Sequence, residues 1–295
     1  MDFPEIQLTS HRFQHLAKMS LPNTLFHYTT QAGLLGIITS RAHQATKVQY
    51  MNDATEFALF ISLAKSILWD RIGDFIDDQE LFKSCFEHLN YINMINIHAV
   101  SFCRDGDLLS QWRGYAAAGG YAIGFSPSAA LLSIGGGCRI GRCIYEKSDQ
   151  VSILNELIDE MLSYKSKVRS EDCTVVLSTI FGSSLIEYGA FFKDASFIEE
   201  DEWRLITDVR AYTDEKIGFR AGKSMLIPYY CLDIYNGSWR DKIDNVVVGP
   251  CPHPSIAKAS VEGLLLRYSV INQVTQDGVP HYPEVQASAI PYRNW

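Results

Sequence analysis

The chain has 295 residues, with 26 Lys and Arg against 34 Asp and Glu, which gives a formal net charge of −8. Hydrophobic residues make up 47% of it and aromatic residues 12%, which excludes a disordered chain because this composition can fill a core. The acidic balance argues against a generic nucleic-acid or anionic-membrane surface, since both require clustered Lys and Arg.

The cysteines and the first residues indicate a reducing compartment. Seven cysteines are scattered along the chain and none forms a C-x-x-C pair, so neither a disulfide framework nor a zinc knuckle is predicted. The first residues lack the apolar core of a secretory signal, and no apolar run approaches the roughly 18 residues of a membrane span. We therefore expect a soluble cytoplasmic protein with no bound metal and no membrane partner.

The first third of the chain predicts two strands and three helices. A short aromatic strand at 25–29 (LFHYT) precedes a helix at 31–40, for which Thr30 is the cap. After a strand at 42–46, the motif YMNDATE at 50–56 opens a long helix with apolar periodicity, and a second helix covers 79–91.

The rest of the chain is rich in strands. Gly-rich or polar turns separate the strand candidates, and helical periodicity returns in three places. The predicted strands are 95–103, 119–126, 138–146, 202–209, 218–222, 224–234, 244–250 and 285–292, and the predicted helices are 150–165, 171–193 and 254–269.

This order predicts an α+β fold built on a split, largely antiparallel β-sheet with flanking and inserted helices, because the elements do not alternate as regular βαβ units. We expect an N-terminal extension at 1–24 and a single domain at 25–295 with a helical insertion at about 150–193. The glycine-rich fingerprints of Rossmann, P-loop and α/β-hydrolase sites are absent.

The first candidate site is the strand Phe26–Thr30. Side chains alternate along a strand, so His27 and Thr29 share one face and Tyr28 lies on the other. His27 can donate to a ligand hydroxyl while Tyr28 packs beneath it. The alternative is a partly exposed histidine at a strand edge.

The second candidate is the polar start of the long helix. Asp53 and Glu56 have the spacing of a capping box, which explains both acids without any catalysis. Together with Asn52 they are also candidates for contact with a substrate.

The third candidate is aromatic. Trp112, Arg113 and Tyr115 lie just before a strand that contains Tyr121. Such a group can stack on a planar base or a nicotinamide ring while the guanidinium pairs with phosphate. An aromatic corner under a loop is an equally good interpretation.

The fourth candidate is the acidic run that precedes Trp203. If a strand begins here, Glu200 and Glu202 share a face, with Arg204 next in line. A carboxylate beside an apolar run can stabilise an oxocarbenium-like transition state. The alternative is a solvated run with a salt bridge to Arg204.

These motifs occur in an order that resembles the bacterial family called domain of unknown function 2971. The resemblance is carried by HYT, YMNDATE, SFC, QWRGYA, YAIGF and E-x-E-W-R and covers nearly the whole chain from about residue 25. That family in turn looks like a distant relative of the ADP-ribosyltransferases, although their usual Ser-Thr-Ser element is not visible and a helical insertion precedes Glu202.

The resemblance implies roles for particular residues. His27 matches the position that binds the NAD ribose, with Tyr28 as its neighbour, and Glu202 matches the catalytic glutamate, with Glu200 as the upstream acid. The ring that stacks on nicotinamide is Tyr115 or Tyr121, with Tyr115 preferred. Trp112 would help to stack the ring and Arg113 to hold NAD. The residues expected to orient the substrate or acceptor are Asn52, Asp53, Glu56 and Arg204, besides Glu200.

The function implied is transfer of ADP-ribose from NAD, as substrate, to an unknown protein or nucleic-acid acceptor, without a metal. A toxin or phage-defence effector, with a neutralising or sensor partner, is the biological role that the resemblance suggests. The alternatives are a non-catalytic module that binds a nucleotide or nucleic acid, and an NAD glycohydrolase in which water replaces the acceptor.

Overall fold

The computed structural model describes residues 8–17, 20–51, 54–74, 76–115, 119–128, 137–167, 173–222, 224–233, 242–271, 273–274 and 279–292. The helices in these ranges are α1 (His11–Ala17), α2 (Gln31–Ser40), α3 (Ala54–Ile72), α4 (Gln79–Asn90), α5 (Leu109–Tyr115), α6 (Lys147–Lys167), α7 (Cys173–Gly189) and α8 (Pro254–Arg267), together with short 3₁₀ turns such as Ala195–Glu200.

The strands are β1 (Leu25–Thr30), β2 (His43–Lys47), β3 (His98–Cys103), β4 (Gly120–Phe125), β5 (Cys138–Arg142), β6 (Glu202–Thr207), β7 (Ile217–Ala221), β8 (Leu226–Leu232), β9 (Ile243–Val248), β10 (Gln273–Val274), β11 (Pro280–His281) and β12 (Glu284–Ala287). Within the described ranges, ten of them form one sheet and β10 pairs with β11.

The sheet divides at β3. One edge of β3 pairs with β6 over Ala99–Cys103. Its other edge is shared by two strands: β2 pairs at His98 and Ala99, and β1 pairs only at Cys103, which lies opposite Phe26. Two groups of strands therefore extend from opposite ends of β3. One group runs in the order β1, β4, β9 and β12, and the other runs in the order β2, β8 and β7. The sheet has a cleft where β1 departs from β3.

The predicted fold class is confirmed. Helices and strands are mixed along the chain, and the sheet pairs are antiparallel except for the parallel pair of β9 and β12. The helix predicted after the first strand is α2, and its Thr30 cap accepts a hydrogen bond from the Gly33 amide at 3.2 Å. This bond satisfies one amide that the first turn leaves without a partner inside the helix.

The larger apolar core lies between one face of the sheet and helices α3, α4, α6 and α7. Ala99 and Ile206 enter it from the sheet, and Phe181 and Leu185 enter it from α7. The expected helical insertion corresponds to α6 and α7. The described part of the N-terminal extension also packs here, because Leu8 is 1% exposed and belongs to this core.

The opposite face of the sheet is covered by α2 and α8. Its core includes Val100 and Phe102 from β3, and Trp203 and Leu205 from β6. Successive side chains of a strand point to opposite faces. Glu202 and Arg204 therefore point toward the larger helical core, whereas Trp203 points toward α2 and α8.

A third, small cluster covers the β1 side of the first face. Tyr28, Cys103 and Trp112 belong to it, and it is completed by α5. The sequence analysis assigned neither a helix nor a strand to this segment, whereas Leu109–Tyr115 is helical. No helix of the described ranges is long and apolar enough to cross a membrane.

Candidate active site

A small cavity opens at the end of β3, between the larger helical core and the α5 cluster. Its volume is about 40 Å³. It brings together five of the candidate site residues from the sequence analysis. They are His27, Tyr28, Tyr115, Glu200 and Glu202. The lining residues are Phe26, His27, Tyr28, Ser101, Cys103, Gln111, Tyr115, Glu200 and Glu202.

The strand register explains why these residues meet. Cys103 lies opposite Phe26 on β1 and opposite Glu202 on β6. Directly opposed residues of antiparallel strands point to the same face, so Phe26 and Glu202 flank Cys103 across three strands. Tyr28 shares this face because it is two residues from Phe26.

Glu202 is the buried carboxylate of the cavity, with 3% of the residue exposed. Its Oε2 accepts a hydrogen bond from Lys193 Nζ at 2.5 Å, and its Oε1 accepts one from Arg204 Nε at 2.7 Å. Arg204 Nη2 reaches Oε2 at 3.3 Å, and the Glu202 amide donates to the Tyr145 hydroxyl at 2.8 Å. The carboxylate is therefore fixed from both sides.

These cations keep Glu202 charged. Burial alone would raise the pKa of its carboxyl group, but the nearby charges of Arg204 and Lys193, with their hydrogen bonds, outweigh burial and lower the pKa to about 2. The salt bridge to Arg204 that the sequence offered as the alternative is present. It belongs to a buried network, because Arg204 is 6% exposed.

Glu200 reaches the same network from outside the strand. It is the last residue of the 3₁₀ turn Ala195–Glu200, and its Oε2 lies 2.9 Å from Lys193 Nζ. Asp201 then adopts a left-handed conformation with φ of 39° before β6 begins. The two acids converge because Lys193 binds both, not because they share a strand face.

His27 lines the cavity from β1, but its ring lies on the opposite face. The ring contacts His43 and Phe102, with centroids 5.0 and 5.9 Å away, and its Nδ1 is 2.9 Å from the carbonyl oxygen of Ser101. Burial lowers the pKa of His27, although the hydrogen bond to Ser101 opposes this effect. The ring is therefore neutral at pH 7 and separated from Glu202 by the sheet.

Tyr28 and Trp112 hold the loop between β3 and α5. The Tyr28 hydroxyl donates to the Asp105 carbonyl at 2.9 Å and accepts from the Leu108 amide at 2.8 Å. Trp112 has 0% exposure, and its Nε1 donates to Asp107 Oδ1 at 2.7 Å. The two rings pack edge to face at 4.7 Å. Trp112 therefore has no surface for stacking on a ligand in this conformation, and the structure places it beneath the site.

The remaining aromatic and basic candidates separate into near and distant groups. Tyr115 lines the cavity and is 39% exposed, so its ring lies at the rim. Arg113, two residues before Tyr115 on the same helix, is exposed, and its guanidinium carbon lies 5.2 Å from the centre of the Tyr292 ring. Tyr121 lies on β4 opposite Thr29, away from the cavity lining.

The candidate residues at the start of the long helix are not among the residues whose side chains the structure describes. Asn52 and Asp53 lie outside the described residues, and nothing is described for the side chain of Glu56, whose backbone belongs to α3. Their expected contacts with a substrate stay predictions.

A wider groove adjoins the cavity, and Phe26 lines both. The groove has a volume of about 560 Å³. One basic side chain and four acidic ones face it, so its wall is predominantly negative. They are Arg104, Asp105, Asp107, Glu199 and Asp201.

Lys193 is the important residue that sequence reasoning missed. It follows α7 by four residues, nine positions before Glu202, and no periodicity or motif marks it. Lys193 and Tyr145 also line a cavity of about 590 Å³ behind the carboxylate, next to α3. Among the described residues, no group of three or more His, Cys, Asp or Glu side chains is arranged to hold a metal ion.

Comparison with protein families confirms the predicted family. The model of a protein of unknown function, DUF2971, matches residues 111–205, a stretch that contains most of α5, the helical insertion and most of β6. The matched stretch covers about a third of the chain and includes Tyr115, Lys193 and Glu202. No curated protein and no solved structure matches the chain.

Proposed function

We propose that the chain cleaves the bond between nicotinamide and ribose in NAD and transfers ADP-ribose to a macromolecular acceptor. The observation that supports this function best is the convergence of Glu202, Glu200 and the exposed ring of Tyr115 on one cavity beside a cleft in the sheet. An ionised carboxylate can stabilise the positive charge that develops on the ribose, and an aromatic ring can stack on nicotinamide.

Glu202 would act on the ribose. Its carboxylate is ionised, and negative charge stabilises an oxocarbenium-like transition state. Lys193 and Arg204 make three hydrogen bonds to the carboxylate. Because a carboxylate offers roughly four acceptor sites, one remains to accept a hydrogen bond from a ribose hydroxyl.

The size of the cavity limits which part of NAD it could hold. A volume of about 40 Å³ is close to the roughly 30 Å³ that one water molecule occupies in the liquid, so the cavity admits a hydroxyl group and not a nicotinamide ring. In the proposed complex a ribose hydroxyl enters the cavity, the nicotinamide ring stacks on Tyr115, and Arg113 binds phosphate beside α5.

The acceptor would approach through the wider groove on the other side of Phe26. Its volume of about 560 Å³ falls within the roughly 300–1,000 Å³ of small-molecule sites. The acidic wall repels phosphate and attracts basic groups. We therefore propose a basic segment of a protein as acceptor in preference to a nucleic acid.

The cytoplasm is the proposed location. The seven cysteines are free thiols, and free thiols persist in a reducing compartment. The role of a toxin or phage-defence effector follows from the resemblance alone and is proposed on that basis.

One observation favours a second candidate function, a module that binds a nucleotide without turnover. Lys193 and Arg204 neutralise the charge of Glu202, which reduces the electrostatic stabilisation that it can give to a cation. A binding module would be stabilised thermally by NAD and would release no nicotinamide.

The deciding experiment incubates the protein with adenine-labelled NAD and a cell lysate, and follows nicotinamide release and label transfer in parallel. The variants are Glu202→Gln, Tyr115→Ala and the control Glu215→Gln, in which an exposed acid outside the cavity is changed in the same way. Folding is verified for each variant by thermal unfolding. We expect release and transfer from the wild type and the control, and at least a hundredfold loss in Glu202→Gln.

Each other outcome selects a different conclusion. Nicotinamide release without transferred label identifies the NAD glycohydrolase. Thermal stabilisation by NAD without release identifies the binding module. If folded wild-type protein gives no release and no stabilisation, the proposed use of NAD is wrong. Tyr115→Ala keeps the test valid if Glu202→Gln fails to fold, because an exposed ring can be removed without opening the core.

A further inference from the structure

Lys193 is held rigidly behind the candidate catalytic carboxylate. Its amide donates to the Ile144 carbonyl at 3.1 Å, and its own carbonyl accepts a hydrogen bond from Gln150 Nε2 at 3.1 Å. The preceding residue, Phe192, forms a parallel bridge with Ile144. Only 2% of the Lys193 side chain is exposed, so both its backbone and its side chain are fixed.

The Lys193 ammonium group joins the two acids of the site. It lies 2.5 Å from Glu202 Oε2 and 2.9 Å from Glu200 Oε2, and its charge is 4.8 Å from the centre of the Phe197 ring. Two carboxylates at one place repel each other and raise the cost of charging both. A shared ammonium group removes this repulsion and draws both acids to the same cavity.

Arg204 holds the other side of the Glu202 carboxylate. Its Nε binds Oε1, while its Nη1 donates to the Ala190 carbonyl at 2.7 Å. Ala190 and Lys193 are the first and fourth residues after α7. The end of the helical insertion therefore anchors both cations, and the two cations fix the plane of the carboxylate.

We infer that Lys193 is a positioning residue, which holds Glu202 in its charged form with one oxygen directed into the cavity. This inference rests on the proposed function, because it gives Lys193 a part in the proposed reaction. It also assigns a role to the helical insertion. The end of the insertion places the Lys193 ammonium group beside Glu202, and this cation keeps the buried carboxyl group ionised at neutral pH.

The other groups around Glu202 do not replace Lys193. Cys103 faces it from β3, and Cys143 and Tyr145 face it from the segment after β5. Burial raises the pKa of Cys103 and of Tyr145, so neither group is charged at pH 7. Glu200 is itself acidic. With Lys193 removed, Arg204 is the remaining cation in contact with the carboxylate among the described residues.

The test compares Lys193→Met, which keeps the length and removes the charge, with Lys193→Arg, which keeps the charge. The readouts are the pH dependence of NAD turnover and the titration of Glu202 in protein labelled with ¹³C at glutamate carboxyl groups. The Glu202→Gln variant identifies the resonance. If Lys193→Met does not fold, Lys193→Gln takes its place.

In Lys193→Met we expect kcat at pH 6 to fall at least tenfold with KM within twofold, because the carboxylate stays ionised at that pH but loses its fixed orientation. We also expect the acid limb of the pH profile, which reports the pKa of Glu202, to move up by at least one unit. In Lys193→Arg we expect the profile to return to that of the wild type. An unchanged acid limb in a folded Lys193→Met protein would overturn the inference.

The carboxyl titration separates this inference from the proposed function. If the wild type releases no nicotinamide, the proposed function fails, but the Glu202 resonance still reports on Lys193. A midpoint at least one unit higher in Lys193→Met then supports the electrostatic role of the lysine. An unchanged midpoint overturns it.

Discussion

Replacing Glu202 by Gln should destabilise the protein by an amount that depends on pH. Gln keeps the shape of the side chain but removes the charge that compensates Lys193 and Arg204, both of which are buried. Breaking a buried ion pair by removing one partner costs about 3–5 kcal/mol. Glu200 still compensates part of the Lys193 charge, so the lower end of this range is expected.

The pKa of Glu202 gives a second estimate of the same magnitude. A change from 4.5 to about 2 corresponds to about 3 kcal/mol, at about 1.4 kcal/mol per pH unit. Because the pKa is lower in the folded state, this stability is fully present above pH 4.5 and is lost as the pH falls toward 2. At pH 3 about 1.4 kcal/mol of it remains.

The assay is urea-induced unfolding of the wild type and Glu202→Gln at pH 7, 5, 4 and 3. Other carboxyl groups titrate in both proteins, so the difference between the two free energies of unfolding isolates Glu202. We expect a difference of about 3 kcal/mol at pH 7 that falls by more than half at pH 3. The control Glu215→Gln, at an exposed position, should show no difference at any pH. A constant difference for Glu202→Gln would refute the reasoning.

Four further predictions concern other parts of the molecule. His98 is 0% exposed and neither of its ring nitrogens has a hydrogen-bond partner in the described residues. Burial, with the nearby cations, lowers its pKa from 6.5 to about 4. The free energy of unfolding should therefore decrease as the pH falls from 6.5 to 4. Urea unfolding should show a smaller decrease in His98→Leu. Gly189→Ala should cost about 1–3 kcal/mol in urea unfolding, because a Cβ there would lie 2.4 Å from a ring carbon of Phe60. Gly263→Ala on α8 should instead stabilise the protein by about 0.4–1 kcal/mol, since nothing lies within 4 Å of its Cβ; equal effects would contradict both explanations. Tyr115→Ala should raise KM for NAD at least fivefold without changing the melting temperature measured by calorimetry, and an unchanged KM would remove this ring from the site.

Local signals made much of the fold predictable. Thr30 followed by an apolar helix indicated the boundary between β1 and α2, and the cap is formed as expected. The strand predicted at 202–209 is present as β6 (Glu202–Thr207), and Glu202 and Arg204 share a face as expected because side chains alternate along a strand. Such patterns depend on residues that are close in sequence, so the elements they indicate can be predicted without knowledge of the tertiary structure.

The site was less predictable because its contacts are long-range. Glu200 and Glu202 were identified by their residue type, but Lys193, which joins them, reaches the cavity through the packing of the insertion. Trp112 was expected to stack on a ligand and is instead buried on the inner side of α5, where its indole nitrogen donates to Asp107. Sequence alone cannot distinguish these two roles of a large aromatic residue.

The register also separated residues that the sequence grouped. His27 and Glu202 belong to strands that flank β3, yet the ring of His27 contacts His43 and Phe102 on the opposite face. A shift of one residue in the pairing of β1 with β3 would reverse this arrangement. The face on which a strand residue lies depends on this pairing, which is set by the whole sheet.

The measurement that tests the central claim most directly is nicotinamide release from adenine-labelled NAD by folded wild-type protein and by Glu202→Gln at pH 7. The account predicts release by the wild type, with label on a protein acceptor, and at least a hundredfold slower release by the variant. Equal release by both proteins would remove Glu202 from the reaction, and no release by the wild type, with or without lysate, would contradict the proposed activity itself.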